Sequence, residues 1–405
     1  MGRALLVNNV VFFCKGINYS PIPLGSTDIA TDQNFRDHID VDAPLMAEAG
    51  INCLRPYVPF TNTSNFIYTL DVLHNHSIYV INSVYTSGNQ KVAQIETLDH
   101  PTIIMNAVGN EFNYNGLYYW NGCPQECFDR VREAVSQTKT LDPSRPVTIV
   151  YGELPSSSII EFFDNVDIWS INLYRNASFT SLFTDFSSLS SKPLLIGEYG
   201  ADSYDTSTDG VNEAAQAYAV ETLTHSLVDN WAGYGRVCLG GLLFEFNDEW
   251  WKCKSVTCSV STHDSGGVAP GGGPYPDLVF NEEHWGIVTL NRTKKLAYYA
   301  LKDISIPAVD FLPPSPPPPP YSPPLPPQSP PSPPSTPSCC SFCDATSCAN
   351  DASNVSATKD GIPSRCAARI QWVIDNQNKT QPESCDQVGG ESFDEGTVCE
   401  SCSLT

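Results

Sequence analysis

Residues 107–115 read AVGNEFNYN. They follow the apolar run Thr102-Ile103-Ile104-Met105, so a carboxylate, Glu111, stands where a strand would end. Asn110 lies just before it, and the aromatic residues Tyr114, Tyr118 and Trp120 come just after. A second stretch repeats the arrangement: Leu194-Leu195-Ile196-Gly197 is apolar and closes on Glu198, ahead of Tyr199 and Gly200. Acids at the ends of otherwise apolar strands point to a fold that gathers its chemistry at the carboxyl ends of parallel strands.

Working outward from 107–115, the remaining strands of such a fold can be found. Short β-branched runs occur near 11 to 18, Ile51 to Tyr57, Ile78 to Val84, Thr102 to Gly109, Val147 to Tyr151, Val166 to Leu173, Pro193 to Gly197 and Gly240 to Phe246. Helix-like stretches separate them. Asp42 to Gly50, with Pro44 early and a glycine at the exit, is one. Eight strand–helix repeats over about 300 residues predict an α/β fold of the (β/α)8 TIM-barrel kind, spanning residues 1–310. Ahead of it, Leu5 to Phe13 reads as a hairpin turning at Asn8-Asn9. Glu111 then ends the fourth strand and Glu198 the seventh, positions that face each other across a barrel mouth. Two carboxylates flanking a glycosidic bond are what acid/base hydrolysis needs: one protonates the leaving oxygen, the other attacks or activates water.

Composition excludes other classes. The chain has 405 residues, 41% of them hydrophobic, enough for a large core with something appended. Its 45 acidic against 22 basic residues give a formal net charge of −23, which repels nucleic acid and anionic membranes. No apolar run approaches the roughly 18 residues of a membrane span. His74 and His76 lack a matching third ligand, and the reading calls for no metal and no cofactor.

From residue 311 the character changes. Residues 313–338, PPSPPPPPYSPPLPPQSPPSPPSTPS, hold sixteen prolines in twenty-six positions and support neither helix nor sheet, so 311–338 is a Pro-rich linker. As polyproline II the segment reaches about 80 Å. It resembles the Ser-Pro-rich spacers of plant and green-algal wall glycoproteins. Residues 339–405 hold eight of the fifteen Cys, a density that predicts a small disulfide module. The Arg365 to Val373 stretch with Cys385, Cys399 and Cys402 resembles Cys-rich repeats attached to secreted algal carbohydrate enzymes. Trp372 there is a candidate for stacking on glycan, or part of the module's core. The opening MGRALLVNNVVFFCKG has no small-residue cleavage site and is unlike a signal peptide. The Cys content and the sequons at Asn18, Asn62, Asn75, Asn176, Asn291, Asn354 and Asn378 nevertheless predict a secreted, cell-wall-associated glycoprotein whose first exon is truncated or misassigned.

Over residues 5 to 303 the motifs look like those of the retaining glycoside hydrolases that carry glutamates after strands four and seven. The sequence is most similar to families 2 and 72, the latter β-1,3-glucanosyltransferases. Lys15-Gly16-Ile17-Asn18-Tyr19-Ser20-Pro21 matches their first strand and Gly50 to Arg55 the second. Asn110-Glu111 follows the fourth, Ile168 to Tyr174 matches the sixth, Gly197 to Gly200 the seventh, and Phe244 to Trp251 the eighth. The resemblance implies Glu111 as general acid/base, Glu198 as nucleophile and Asn110 as partner of the sugar 2-hydroxyl. It also implies that Arg55 and Tyr174 compensate the charge of Glu198 and aim it, with the two carboxyls about 5–5.5 Å apart. Tyr114, Trp250 and Trp251 are candidates for stacking on sugar or, alternatively, ordinary aromatic core. Glu245 and Glu249 rank as binding or structural acids. The seven Cys before residue 310 do not reproduce family 72 spacings, and there is no room ahead of the barrel for the sandwich domains usual in family 2. The Gly-rich loop 263–273 is expected to line the mouth.

The expected function is a retaining β-glycosidase or transglycosylase on a wall or storage polysaccharide, with β-1,3-glucan foremost. The alternative is a non-catalytic carbohydrate-binding wall glycoprotein that uses the barrel as a scaffold.

Overall fold

Eight parallel strands close into a barrel. The structure, a computed structural model, describes residues 2–23, 33–84, 98–115, 124–253, 265–266, 272–306, 356–359 and 362–365. The barrel strands are β1 (Cys14–Tyr19), β2 (Cys53–Pro56), β3 (Tyr79–Val84), β4 (Ile103–Val108), β5 (Val147–Gly152), β6 (Ile168–Asn172), β7 (Leu194–Tyr199) and β8 (Cys238–Leu243). Every residue of β1, β2, β6, β7 and β8 is buried. Near-continuous apolar runs are what a parallel barrel needs, because helices cover it outside and side chains fill it inside. The barrel closes where β8 meets β1, with Gly240 opposite Cys14. A Cβ on Gly240 would lie 2.1 Å from the Cys14 carbonyl oxygen and its φ is +111°, so only glycine allows that approach.

Ahead of the barrel, Leu5–Val7 pairs antiparallel with Val10–Phe12. Asn8 and Asn9 both take positive φ, 51° and 64°, as a two-residue hairpin turn requires. The first helix departs from its sequence reading. It runs from Phe35 to Glu48, so Pro44 lies inside it and not near its start. The entry is set at Asn34, whose side chain accepts from the Asp37 amide, and by the buried stripe Phe35, Ile39, Ala43 and Met46. Gly50 exits with φ +72°, as expected.

That helix also ties the two ends of the barrel domain together. Asp42, with no exposed surface, accepts from Arg292 Nε at 2.8 Å, from its Nη2 at 2.7 Å and from Tyr19 Oη at 2.6 Å. Asp42→Ala strands a mostly buried guanidinium, and we expect it to cost about 3–5 kcal/mol of stability. Urea unfolding at constant m checks this; an unchanged midpoint refutes it.

Cys14 and Cys53 form a disulfide between β1 and β2, a pairing that spacing did not reveal. Cys238 is a buried thiol in β8. Of the sequons, Asn62, Asn75, Asn176 and Asn291 are exposed. Asn18 is not available for glycosylation: it is fully buried in β1 and donates to the carbonyls of Gly197 and Leu242 at 3.1 and 3.2 Å. No helix among the described residues is long and apolar enough to cross a membrane.

Contacts divide the chain into two units, residues 1–311 and 312–405. In the second, Ser356–Lys359 pairs antiparallel with Ile362–Arg365. The Pro-rich linker, the eight tail Cys, Trp372, Tyr118, Trp120 and most of the Gly-rich loop lie outside the described residues.

Candidate active site

The carboxyl ends of β1, β2, β4, β5, β6, β7 and β8, with the segments after them, line a cleft of about 360 Å³. Glu111 and Glu198 both face it, together with Asn110, Tyr114, Asn172 and Tyr174.

Glu198 lies within β7, which delivers it to the mouth. Three donors converge on it. Arg55, from β2, reaches Oε1 at 3.2 Å, Tyr57 donates to the same oxygen at 2.7 Å, and Tyr174 donates to Oε2 at 2.9 Å. Tyr174 is buried and Tyr57 partly so, and desolvation followed by the Glu198 charge pushes their pKa values well above the ordinary range, so they remain donors. Arg55 is 2% exposed; its second nitrogen donates to Asn110 Oδ1 at 2.7 Å, joining the two strand ends.

Glu111 stands just past β4 in left-handed backbone, φ +46°, with its amide bonded to the Val150 carbonyl at 2.9 Å. Its carboxylate accepts from Asn172 Nδ2 at 3.1 Å. Desolvation, and next the charge of Glu198, push its pKa up to about 7. Asn113 fixes the turn that carries it. Its amide donates to the Gly152 carbonyl at 2.9 Å and accepts from the Gly152 amide at 2.8 Å. Tyr114 lies against the same glycine, where a Cβ would come within 2.1 Å of its ring.

Thus Glu111, Glu198, Asn110, Arg55, Tyr174 and Tyr114 are brought together. Trp250 and Trp251 are not among the residues that line the cleft. The barrel strand ends at Leu243, so the Phe244–Trp251 motif matched to the eighth strand lies in the loop after it, and a 3-10 turn at Trp250–Cys253 points Trp250 edge-on to His284, with ring centroids 5.0 Å apart. The same turn puts Lys252 in the cleft instead. The sequence reading missed Tyr57, Asn172 and Lys252. For the first two a signal existed: Tyr57 stands two residues from Arg55 and Asn172 two from Tyr174, the spacing that returns an extended chain to the same face. Among the described residues no group of three or more His, Cys, Asp and Glu is placed to hold a metal ion.

Residues 85–237, a stretch holding both acids, match the family model for the TIM barrel domain of glycosyl hydrolases family 2. Over that stretch the barrel resembles the family 2 barrel domain. Solved structures share the barrel fold. The Ruminococcus gnavus β-glucuronidase superposes with a TM-score of 0.52 at 14% identity over 75% of this chain and 51% of that one. The family 2 β-galacturonidase of Eisenbergiella tayi, bound to galacturonate, gives 0.50 at 20% identity over 75% and 53%. The FMN-binding β-glucuronidase of Faecalibacterium prausnitzii L2-6 gives 0.50 at 18% over 71% and 43%. The chain spans about half the length of these proteins or less. No curated protein matches it by sequence.

Proposed function

We propose that the protein is a retaining β-glycosidase in which Glu198 is the nucleophile and Glu111 the acid/base. The observation that carries this reading is the unequal treatment of two carboxylates in one cleft: Glu198 is gripped by Arg55, Tyr57 and Tyr174, while Glu111 is poised near 7. Unequal environments for a pair of acids separate their roles. In the first step a Glu198 oxygen bonds to the anomeric carbon, the glycosidic C–O bond breaks, and Glu111 passes its proton to the departing oxygen. The ester removes the charge of Glu198, which lowers the pKa of Glu111 and leaves it a base. In the second step Glu111 takes a proton from water, the water oxygen bonds to the anomeric carbon, and Glu198 is released. Asn110, held by Arg55, is offered to the sugar 2-hydroxyl, and Tyr114 gives a ring for the departing sugar to lie on.

A β-1,3-glucan substrate, and transfer to a sugar hydroxyl in place of water, are finer readings supported by the resemblance of the strand motifs to family 72. Secretion and attachment to a wall matrix are supported by the Cys14–Cys53 disulfide, the four exposed sequons and the composition of the linker. The uronic-acid sugars named for the solved neighbours are the competing substrate class.

Incubation with a 2-fluoro glycosyl fluoride, followed by peptide mass mapping, is expected to place the label on Glu198. A protein that stays unlabelled while binding laminarin would be a carbohydrate-binding scaffold. With laminari-oligosaccharides, products longer than the input would indicate transfer.

A further inference from the structure

We propose that the cleft admits uncharged sugars and turns away uronides, and that Lys252, Glu249 and Glu282 beside the two acids make this selection. The inference rests on the glycosidase reading of the site and deepens it to a substrate class.

Among the described residues, five glutamates line the cleft, Glu111, Glu153, Glu198, Glu249 and Glu282, against one cation, Lys252. That ammonium is already engaged. It lies 2.5 Å from a Glu249 oxygen and 2.9 Å from Glu282, and 4.6 Å from the centroid of the Phe244 ring. The side chain of Glu249 is 1% exposed, so drawing Lys252 away would leave a buried carboxylate without compensation. The nearby guanidinium groups are committed as well: Arg55 to Glu198 and Asn110, Arg175 to Glu153. Among the described residues a sugar carboxylate entering here finds no cation with charge left to balance it, and it meets an excess of like charge in a poorly solvated space.

An uncharged sugar finds the opposite. Glu282 is 30% exposed on its side chain and accepts from a hydroxyl, while Lys252 beside it donates to the adjacent one. An ammonium and a carboxylate held 2.9 Å apart thus match a pair of neighbouring hydroxyl groups on one ring.

The test compares 4-nitrophenyl β-galactoside, β-glucoside and β-mannoside with the corresponding β-glucuronide and β-galacturonide, using the full chain. At least one neutral substrate is expected to exceed both uronides in kcat/KM by about 100-fold, the scale of one unfavourable partly buried charge contact. In Glu282→Gln the ratio is expected to narrow by about tenfold, through a gain on uronides. Uronides hydrolysed as well as neutral substrates would overturn the proposal, and an unchanged ratio in Glu282→Gln would overturn its assignment to this group. Should no glycoside be hydrolysed and no 2-fluoro label form, the catalytic reading fails by itself. The selection is then decided by saturation-transfer NMR with methyl β-glycosides: binding of neutral sugars alone upholds it, and binding of uronides or of neither class overturns it.

Discussion

Glu198→Gln is expected to lower kcat/KM by more than about 10⁴-fold, beyond the 10²–10⁴ that loss of a proton-transfer group costs, because an amide in place of the proposed nucleophile cannot form the glycosyl ester. The amide keeps the size and most of the contacts of the acid, so folding is preserved. The neighbours make the result sharper. Tyr57, Tyr174 and Arg55 are donors aimed at carboxylate oxygens, and an amide NH₂ in place of one oxygen is met by a donor it cannot satisfy. Glutamine should therefore abolish both turnover and 2-fluoro labelling while the circular dichroism spectrum stays that of the folded parent. Turnover within tenfold of the parent would remove Glu198 from the mechanism.

Glu111→Gln is expected to cost about 10²–10⁴-fold, with a dependence on the leaving group that Glu198 variants lack. Substrates with a poor leaving group need the proton and lose most; a dinitrophenyl glycoside departs without one, so its glycosylation step is nearly spared. The pH dependence has a definite sign. In the proposed mechanism bond cleavage requires Glu111 protonated, and its pKa is pushed up to about 7 by burial and by the Glu198 charge. The kcat/KM of the parent should hence be high below that value and fall as pH rises through it. In Glu111→Gln this alkaline fall should vanish. A parent profile that stays flat to pH 9 would mean that Glu111 is not the proton donor.

The barrel was legible in the sequence because strands covered on both sides must be apolar along their whole length, and such runs stand out at 103–108, 147–152 and 194–199. Their ends were less so. The sequence extends the eighth strand to Phe246, whereas it stops at Leu243, because the apolar Phe244 and Phe246 continue the pattern after the chain has left the sheet. Trp250 and Trp251, candidates for stacking or for core, lie in that loop and off the cleft, while Lys252 beside them lines it. Pro44 likewise marks a helix start in the sequence, whereas the cap lies ten residues earlier at Asn34, a weaker local signal than proline.

The sequence by itself determined which chemistry was available: two glutamates at the ends of apolar strands, an asparagine before one of them and an arginine at the end of the second strand. Those are local facts, set by the need of a strand to be apolar and by the rarity of an acid at its close. Tertiary structure alone decided that the two glutamates are treated differently. Only when β2, β6 and β7 meet at one mouth do Arg55, Tyr57 and Tyr174 reach Glu198, and only the desolvation of that cleft, with Glu198 alongside, raises the proton affinity of Glu111. A carboxyl group takes its role from distances and dielectric, and neither is written in the order of residues.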